Sequence, residues 1–240
     1  MRVQINDKQV TIPSSLSEIT LRQRIDFHNQ HGRELDQMLE SISKMPEGLD
    51  RELEENQFMF EKMVRTFAFF AGVTPESIKE SKFLDEIATI YYSSLAVLIE
   101  DEKNLELKRE FLFKGETWVL SPSELKNGDR MTFGEFIDAK QLIKDMHDLG
   151  CGKWEMMLPI CAIYLRKKDE AYKEEFLFEG SERLKLMESL TMDIAMQVGF
   201  FLTGTTNFLI NTLKSSAKAG LKAGEKTPTC ISKSMAGSTS

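Results

Sequence analysis

The chain has 240 residues, 41% of them hydrophobic and 29% charged, which is enough apolar content for a packed core and excludes a disordered chain. The formal charge of −7 argues against nucleic-acid binding by the whole surface, because such binding is driven by neutralising phosphates. Three cysteines (Cys151, Cys161 and Cys230) fit neither a disulfide framework nor a zinc pattern and point to a reducing compartment, and the opening MRVQINDKQV lacks the apolar run of a signal peptide.

In chain order, Val3, Ile5, Val10 and Ile12 flank Asn6 and Asp7, which suits a β-hairpin over residues 3–13. Ser17 or Thr20 then caps a helix expected over 21–44, which the Met45-Pro46-Glu47-Gly48 run ends. Helices follow over 51–71, 75–80 (Pro75 at the first helical position after Thr74) and 83–107. A second hairpin is expected at 111–122, with Phe111, Phe113, Trp118 and Leu120 around a turn at Lys114 and Gly115. Helices over 132–148, 153–167, 169–176, 181–190 and 192–213 complete the body, with a break at Gly150-Cys151-Gly152. Residues 214–240 hold five Lys and one Glu, a net of +4, which leaves −11 on residues 1–213. Their Ser, Gly, Ala and Lys bury too little surface to offset chain entropy, so a flexible tail is expected.

The order hairpin then helices occurs twice. Thr20-Leu21-x-x-x-Ile25-Asp26 matches Thr132-Phe133-x-x-x-Ile137-Asp138. Phe60, Glu61, Met63, Val64, Ala68 and Phe70 match Trp154, Glu155, Met157, Leu158, Ala162 and Tyr164 at equal offsets. The apolar segments 84–99 and 190–202 follow in the same order. The fold expected is therefore mostly α (α+β), built from duplicated hairpin-plus-helices units over 1–108 and 109–213, with the tail as a third segment. Each hairpin needs helices or another strand to pack on.

Candidate chemistry is sparse. His28 and His31 share a helix face near Glu34 and Asp36, but two imidazoles without further ligands do not make a metal site. His147 and Cys151 would need a common pocket to act as a dyad. Asp26 and Asp138 recur in both halves, where a structural carboxylate is the simpler reading. Gly115–Thr117 and Gly199–Gly204 lack the Lys and flanking strand of a phosphate loop, and no Gly-x-Ser-x-Gly turn is present. No catalytic, cofactor-binding or metal residue is therefore assigned, and the chain is read as not an enzyme. Residues 194–213 have the length of a membrane span, but Gln197, Asn207 and Asn211 would each need a partner in lipid. A buried or oligomeric helix is expected instead, with Phe200, Phe201, Phe208, Leu209 and Leu213 as the candidate oligomer interface. The 13 Met, many on predicted helices, read as gap fillers or as an adaptable contact face.

The hairpins, the Thr132–Asp138 helix start, the Trp154–Lys167 run and the Phe200-Phe201-Leu202 helix together resemble small, mostly helical virion or morphogenesis proteins of tailed bacteriophages, the crAss-like group in particular. The resemblance runs loosely over 1–213 and is best over 111–202. It implies a non-enzymatic structural subunit of a head–tail connector or neck ring, in the virion or in the host cytoplasm during assembly. The alternative it implies is a soluble tail-assembly chaperone absent from the mature particle. Expected partners are further copies of the chain and other phage structural proteins, with no small-molecule substrate and no membrane. Nucleic acid is expected only through 214–240, if at all.

Overall fold

A computed structural model describes residues 1–5, 8–99, 107–120, 133–168 and 170–203. Among these residues the chain is mostly α with two small antiparallel sheets. Met1–Phe201 form one compact unit; of the second unit, which starts at Leu202, only Leu202 and Thr203 are described. The expected flexible tail, 214–240, lies outside the described residues.

Strands β1 (Arg2–Ile5) and β2 (Lys8–Thr11) pair antiparallel with Val3 opposite Val10. Alternation places Val3, Ile5, Val10 and Ile12 on the packed side, against α3 (Leu49–Ala71), α4 (Pro75–Lys79) and α5 (Leu84–Ile90). Met63, Val64, Phe67, Ile78, Ile87 and Tyr91 close this first core, so the hairpin rests on helices as a lone hairpin must. Helix α1 (Leu21–Phe27) starts at Thr20, whose hydroxyl accepts from Gln23 N–H while the Gln23 side chain accepts from Thr20 N–H, a reciprocal cap. A π-helical turn, His28–Gly32, joins α1 to α2 (Arg33–Ser43) without breaking the rod. A second π turn, Tyr91–Leu95, joins α5 to α6 (Ala96–Ile99).

The second hairpin is β3 (Glu110–Phe113) and β4 (Glu116–Leu120). Lys114 and Gly115 both take positive φ (50° and 78°), the two-residue turn that matches strand twist. Here the sheet differs from expectation. Residues Leu165–Lys167, read from sequence as the end of a helix, form β5 and pair with Trp118–Leu120. Helix α8 (Lys153–Tyr164) stops because Leu165 turns extended (φ −96°, ψ 114°), and the exposed edge of β4 takes up the freed backbone. Residue 107, the last of the expected helix 83–107, is not helical; nor are 170–173 of the expected helix 169–176, where only a 3₁₀ turn, Glu174–Leu177, forms. Helices α7 (Phe133–Asp148), α9 (Glu182–Glu188) and α10 (192–203) follow the expected positions, and residues 204–213 of the last expected helix lie outside the described residues.

The two halves meet within the compact unit. Thr20 and Thr191 form an antiparallel bridge: Leu21 N–H donates to Leu190 C=O at 2.7 Å and Met192 N–H to Ile19 C=O at 2.8 Å. The starts of α1 and α10 are thus tied backbone to backbone. Ile19, Leu21, Leu190 and Met192 beside the bridge are all buried, each worth roughly 1.5–3 kcal/mol of apolar transfer on the side-chain scale.

Candidate functional site

The first described feature with the character of a site is a groove of about 300 Å³ where α1, the π turn, α2, α3 and the start of α8 converge. Its apolar walls come from Phe27, Leu35, Leu39, Phe58 and Trp154. Its charges come from Arg24, Lys62 and Lys153 against one carboxylate, Asp36. Leu35 and Phe27 are buried at the base while Leu39 stays 51% exposed at the mouth, so the groove opens to solvent.

Local sequence places each group. The inward stripe of α1 is Leu21, Arg24, Ile25 and then His28, at helical spacing. Arg24 is thereby carried into the interior, 8% exposed, and its guanidinium lies 4.8 Å from the Trp154 ring and 5.7 Å from that of Phe27. Lys153 Nζ sits 5.0 Å from the same indole. Cations on an indole gain from the ring quadrupole, more so when desolvated. These contacts fix Trp154 as a wall of the groove.

The π turn adds one residue to its helical turn, and wide turns of this kind concentrate at functional sites. Here it lets His28 and His31 diverge. The His28 ring fits between Gly32 and Gly152: a Cβ on Gly32 would come 2.4 Å from Nδ1, and one on Gly152 2.6 Å from Nε2. Both glycines are therefore close-approach positions that admit the imidazole. His31 instead packs on Phe27 and Phe69 (ring centroids 5.8 and 6.5 Å), and burial, helped by the Arg65 charge, pushes its pKa below the ordinary histidine value. Beside His28, Glu155 accepts from Gly152 N–H at 2.7 Å and from Asn29 Nδ2 at 3.1 Å. The backbone bond above all holds its carboxyl below the usual range. The junction of the two halves is thus polar and closed next to an apolar groove that is open.

The other sequence candidates do not converge. No group of three or more His, Cys, Asp or Glu is placed to hold a metal among the described residues, and Glu34 is engaged by Arg65. His147 is exposed beside Asp148 (Nδ1 to Oδ1, 3.7 Å), and among the described residues no hydrogen bond joins it to Cys151. Asp26 pairs with Arg22 at 2.9 Å, and Asp138 accepts from Tyr172 Oη at 3.3 Å, which places both in surface scaffolding. Burial and the Asp138 charge push the Tyr172 phenol up to about 12, so it stays protonated. Cys161 is fully buried, and desolvation raises its thiol pKa, which keeps it a thiol. Of the candidate interface residues, Phe201 is buried and packs edge-on to Tyr164 at 5.7 Å, inside the core of the compact unit. Phe200 is half-buried; Phe208, Leu209 and Leu213 lie outside the described residues. Among the described residues no helix is long and apolar enough to cross a membrane.

The sequence reading did not single out Arg24, Phe58, Lys62 or Lys153. Arg24 carried a signal: a charge within an otherwise apolar helical stripe has to be buried on something. Lys62 and Lys153 carried none, since lysines on helix surfaces are the norm. Comparison with protein-family models, with curated proteins and with solved structures finds no match.

Proposed function

We propose that the protein is a non-enzymatic, protein-binding factor of bacteriophage particle assembly, acting as a soluble tail-assembly chaperone in the host cytoplasm. The open aromatic groove between α1, α2, α3 and α8 carries the binding half of this reading. An accessible apolar cleft with charges at its rim suits reversible capture of an extended or helical segment of a partner. The α2–α3 hairpin adds to it, because Leu49 and Leu53 near its tip are exposed as well as Leu39. The phage half rests on the sequence resemblance over 111–202.

A second reading, the connector or neck-ring subunit, is favoured by a different observation. Leu112 on the edge strand β3 is 77% exposed, which supplies an apolar patch unlike the leucines of α3. Rings are closed by heterologous contacts between unlike patches.

The two readings part on the composition of the particle. Mass spectrometry of an infected-cell lysate and of purified particles from the same culture should find the protein in the lysate and not in the particles. Light scattering of the purified protein should give a monomer or dimer mass. Stoichiometric presence in particles, together with a discrete ring mass, would replace the chaperone by the neck-ring subunit.

A further inference from the structure

We infer that the protein forms a twofold dimer through the free edge of β3, with Leu112 lying opposite Leu112 of a second, antiparallel copy. The inference goes beyond the chaperone reading above, which allows one chain or two. The backbone supplies the first argument. β3 has a strand neighbour on one side only, since the sheet order is β3-β4-β5. Phe113 and Glu116 flank the two-residue turn and so form a hydrogen-bonded pair, and Phe111 with Trp118 form the next one. Leu120 N–H donates to Arg109 C=O at 2.9 Å, which continues the alternation. The N–H and C=O groups of Glu110 and Leu112 therefore point away from β4 along the open edge, a template onto which another strand adds.

Side chains decide which strand. Glu110, Leu112 and Lys114 are all exposed, Leu112 by 77%. Among the described residues Glu110 has no ion pair. The Lys114 ammonium lies 5.7 Å from the ring of its neighbour Phe113, a contact that leaves its charge unneutralised. Against its own antiparallel copy, Glu-Leu-Lys at alternate positions is self-complementary. With Leu112 on the axis, Glu110 falls opposite Lys114 of the second copy, twice over. The same register sets half-buried Phe111 opposite the second copy's Phe113 on the other face. Neighbouring registers lose this match. Centring on Phe111 sets Lys108 against Lys114 and Glu110 against Leu112, and centring on Glu110 sets that carboxylate against itself. An edge guarded by one sign of charge repels its copy; this edge attracts it in one register. Lys114 already belongs to the turn (φ 50°), so the ladder is short and Lys114 contributes its charge. A twofold contact of this kind is isologous and closes at two chains.

The test measures the mass of the full chain by sedimentation equilibrium over a range of concentrations. So short a ladder buries less than a standard interface, and a dissociation constant of about 10–100 μM is expected between the 27.5 kDa chain and its dimer. Leu112→Asp should abolish the dimer. Glu110→Lys and Lys114→Glu should each weaken it at least about tenfold by setting like charges opposite. The double variant should recover most of that loss, because the exchanged pair is complementary again. The differences between these variants should shrink as salt shortens the screening length. Should a variant unfold, which a melting curve would show, amide exchange on the unaltered chain takes its place: Leu112 N–H should exchange more slowly as concentration rises. A mass that stays monomeric at about 500 μM, well above the expected constant, overturns the inference. So does a larger discrete mass, a dimer indifferent to Leu112→Asp, a charge exchange that restores nothing, or a Leu112 amide indifferent to concentration. The chaperone reading is judged separately by particle composition. A monomer absent from particles removes this inference and leaves that reading in place.

Discussion

At the scale of residues, the two described glycines at which an added Cβ would meet a neighbour most closely, Gly32 and Gly152, both face the imidazole of His28. Gly152 has ordinary extended backbone angles (φ −71°, ψ 160°), so an alanine there meets no backbone strain. Freed of its surroundings, Gly152→Ala would lie near neutral: reduced chain entropy in the unfolded state gains about 0.4–1 kcal/mol, and the weaker helix cap gives a few tenths back. The added Cβ, however, would stand 2.6 Å from Nε2 of a ring already limited on its other side by Gly32. We therefore expect Gly152→Ala to destabilise by about 1–3 kcal/mol through overpacking. In the His28→Ala background the same substitution should cost at least about 1 kcal/mol less, since the obstructing ring is gone. Denaturant melts of the four proteins measure this cycle, and additive effects would show that the ring does not fill the space between the glycines. Because His28 also lines the groove, the cycle reports whether the junction of the halves and the groove share one support.

At the scale of elements, the start of α1 has two duties. Thr20 caps the helix through the reciprocal pair with Gln23, and its backbone joins the bridge to Thr191. Thr20→Ala removes only the first, so a loss of about 1 kcal/mol is expected, whereas Thr20→Ser should retain nearly all stability. Thermal melts distinguish them; equal losses would mean that the methyl group and not the hydroxyl matters. The cap was legible in the sequence as one of two candidates, Ser17 or Thr20, while Thr74 before α4 and the turn at Lys114-Gly115 were read directly, because caps and turns are decided by a few adjacent residues. The π turns were not, since their sequences are compatible with an ordinary helix. Nor was β5: Leu165-Arg166-Lys167 continues the apolar helical run of α8 and turns extended only because the edge of β4 lies within reach, which is information from outside the segment. The groove was half legible for the same reason. Phe27 and Arg24 lie on a readable helix face, but Trp154 and Lys153 come from a helix well over one hundred residues away, and only the packed chain brings them together.

At the scale of the whole molecule, residues before and after 108 meet inside the compact unit Met1–Phe201 at a surface that either half would expose alone. Separation would uncover Ile19 and Leu21 on one side and Leu190 and Met192 on the other, and would free the bridge hydrogen bonds. It would also strip Trp154 from Arg24 and break the Arg22–Glu188 and Asn29–Glu155 contacts. The first half retains a closed cluster of its own around Met63, Phe67 and Tyr91, so residues 1–108 should keep helical structure in isolation while melting with low cooperativity. Residues 109–240 lose the partner of both Trp154 and the bridge and should be the less stable piece. Co-expressed as separate chains cut between 108 and 109, the two should co-purify and melt in a single transition near that of the intact protein. Circular dichroism of each piece and of the pair measures this. Independent, cooperative melting of both pieces without co-purification would mean that the groove lies between autonomous domains, and its occupancy would then depend on how they approach. A single transition means instead that the groove is preformed by the fold, so that a partner meets a rigid cleft and bears little ordering cost on this side of the interface.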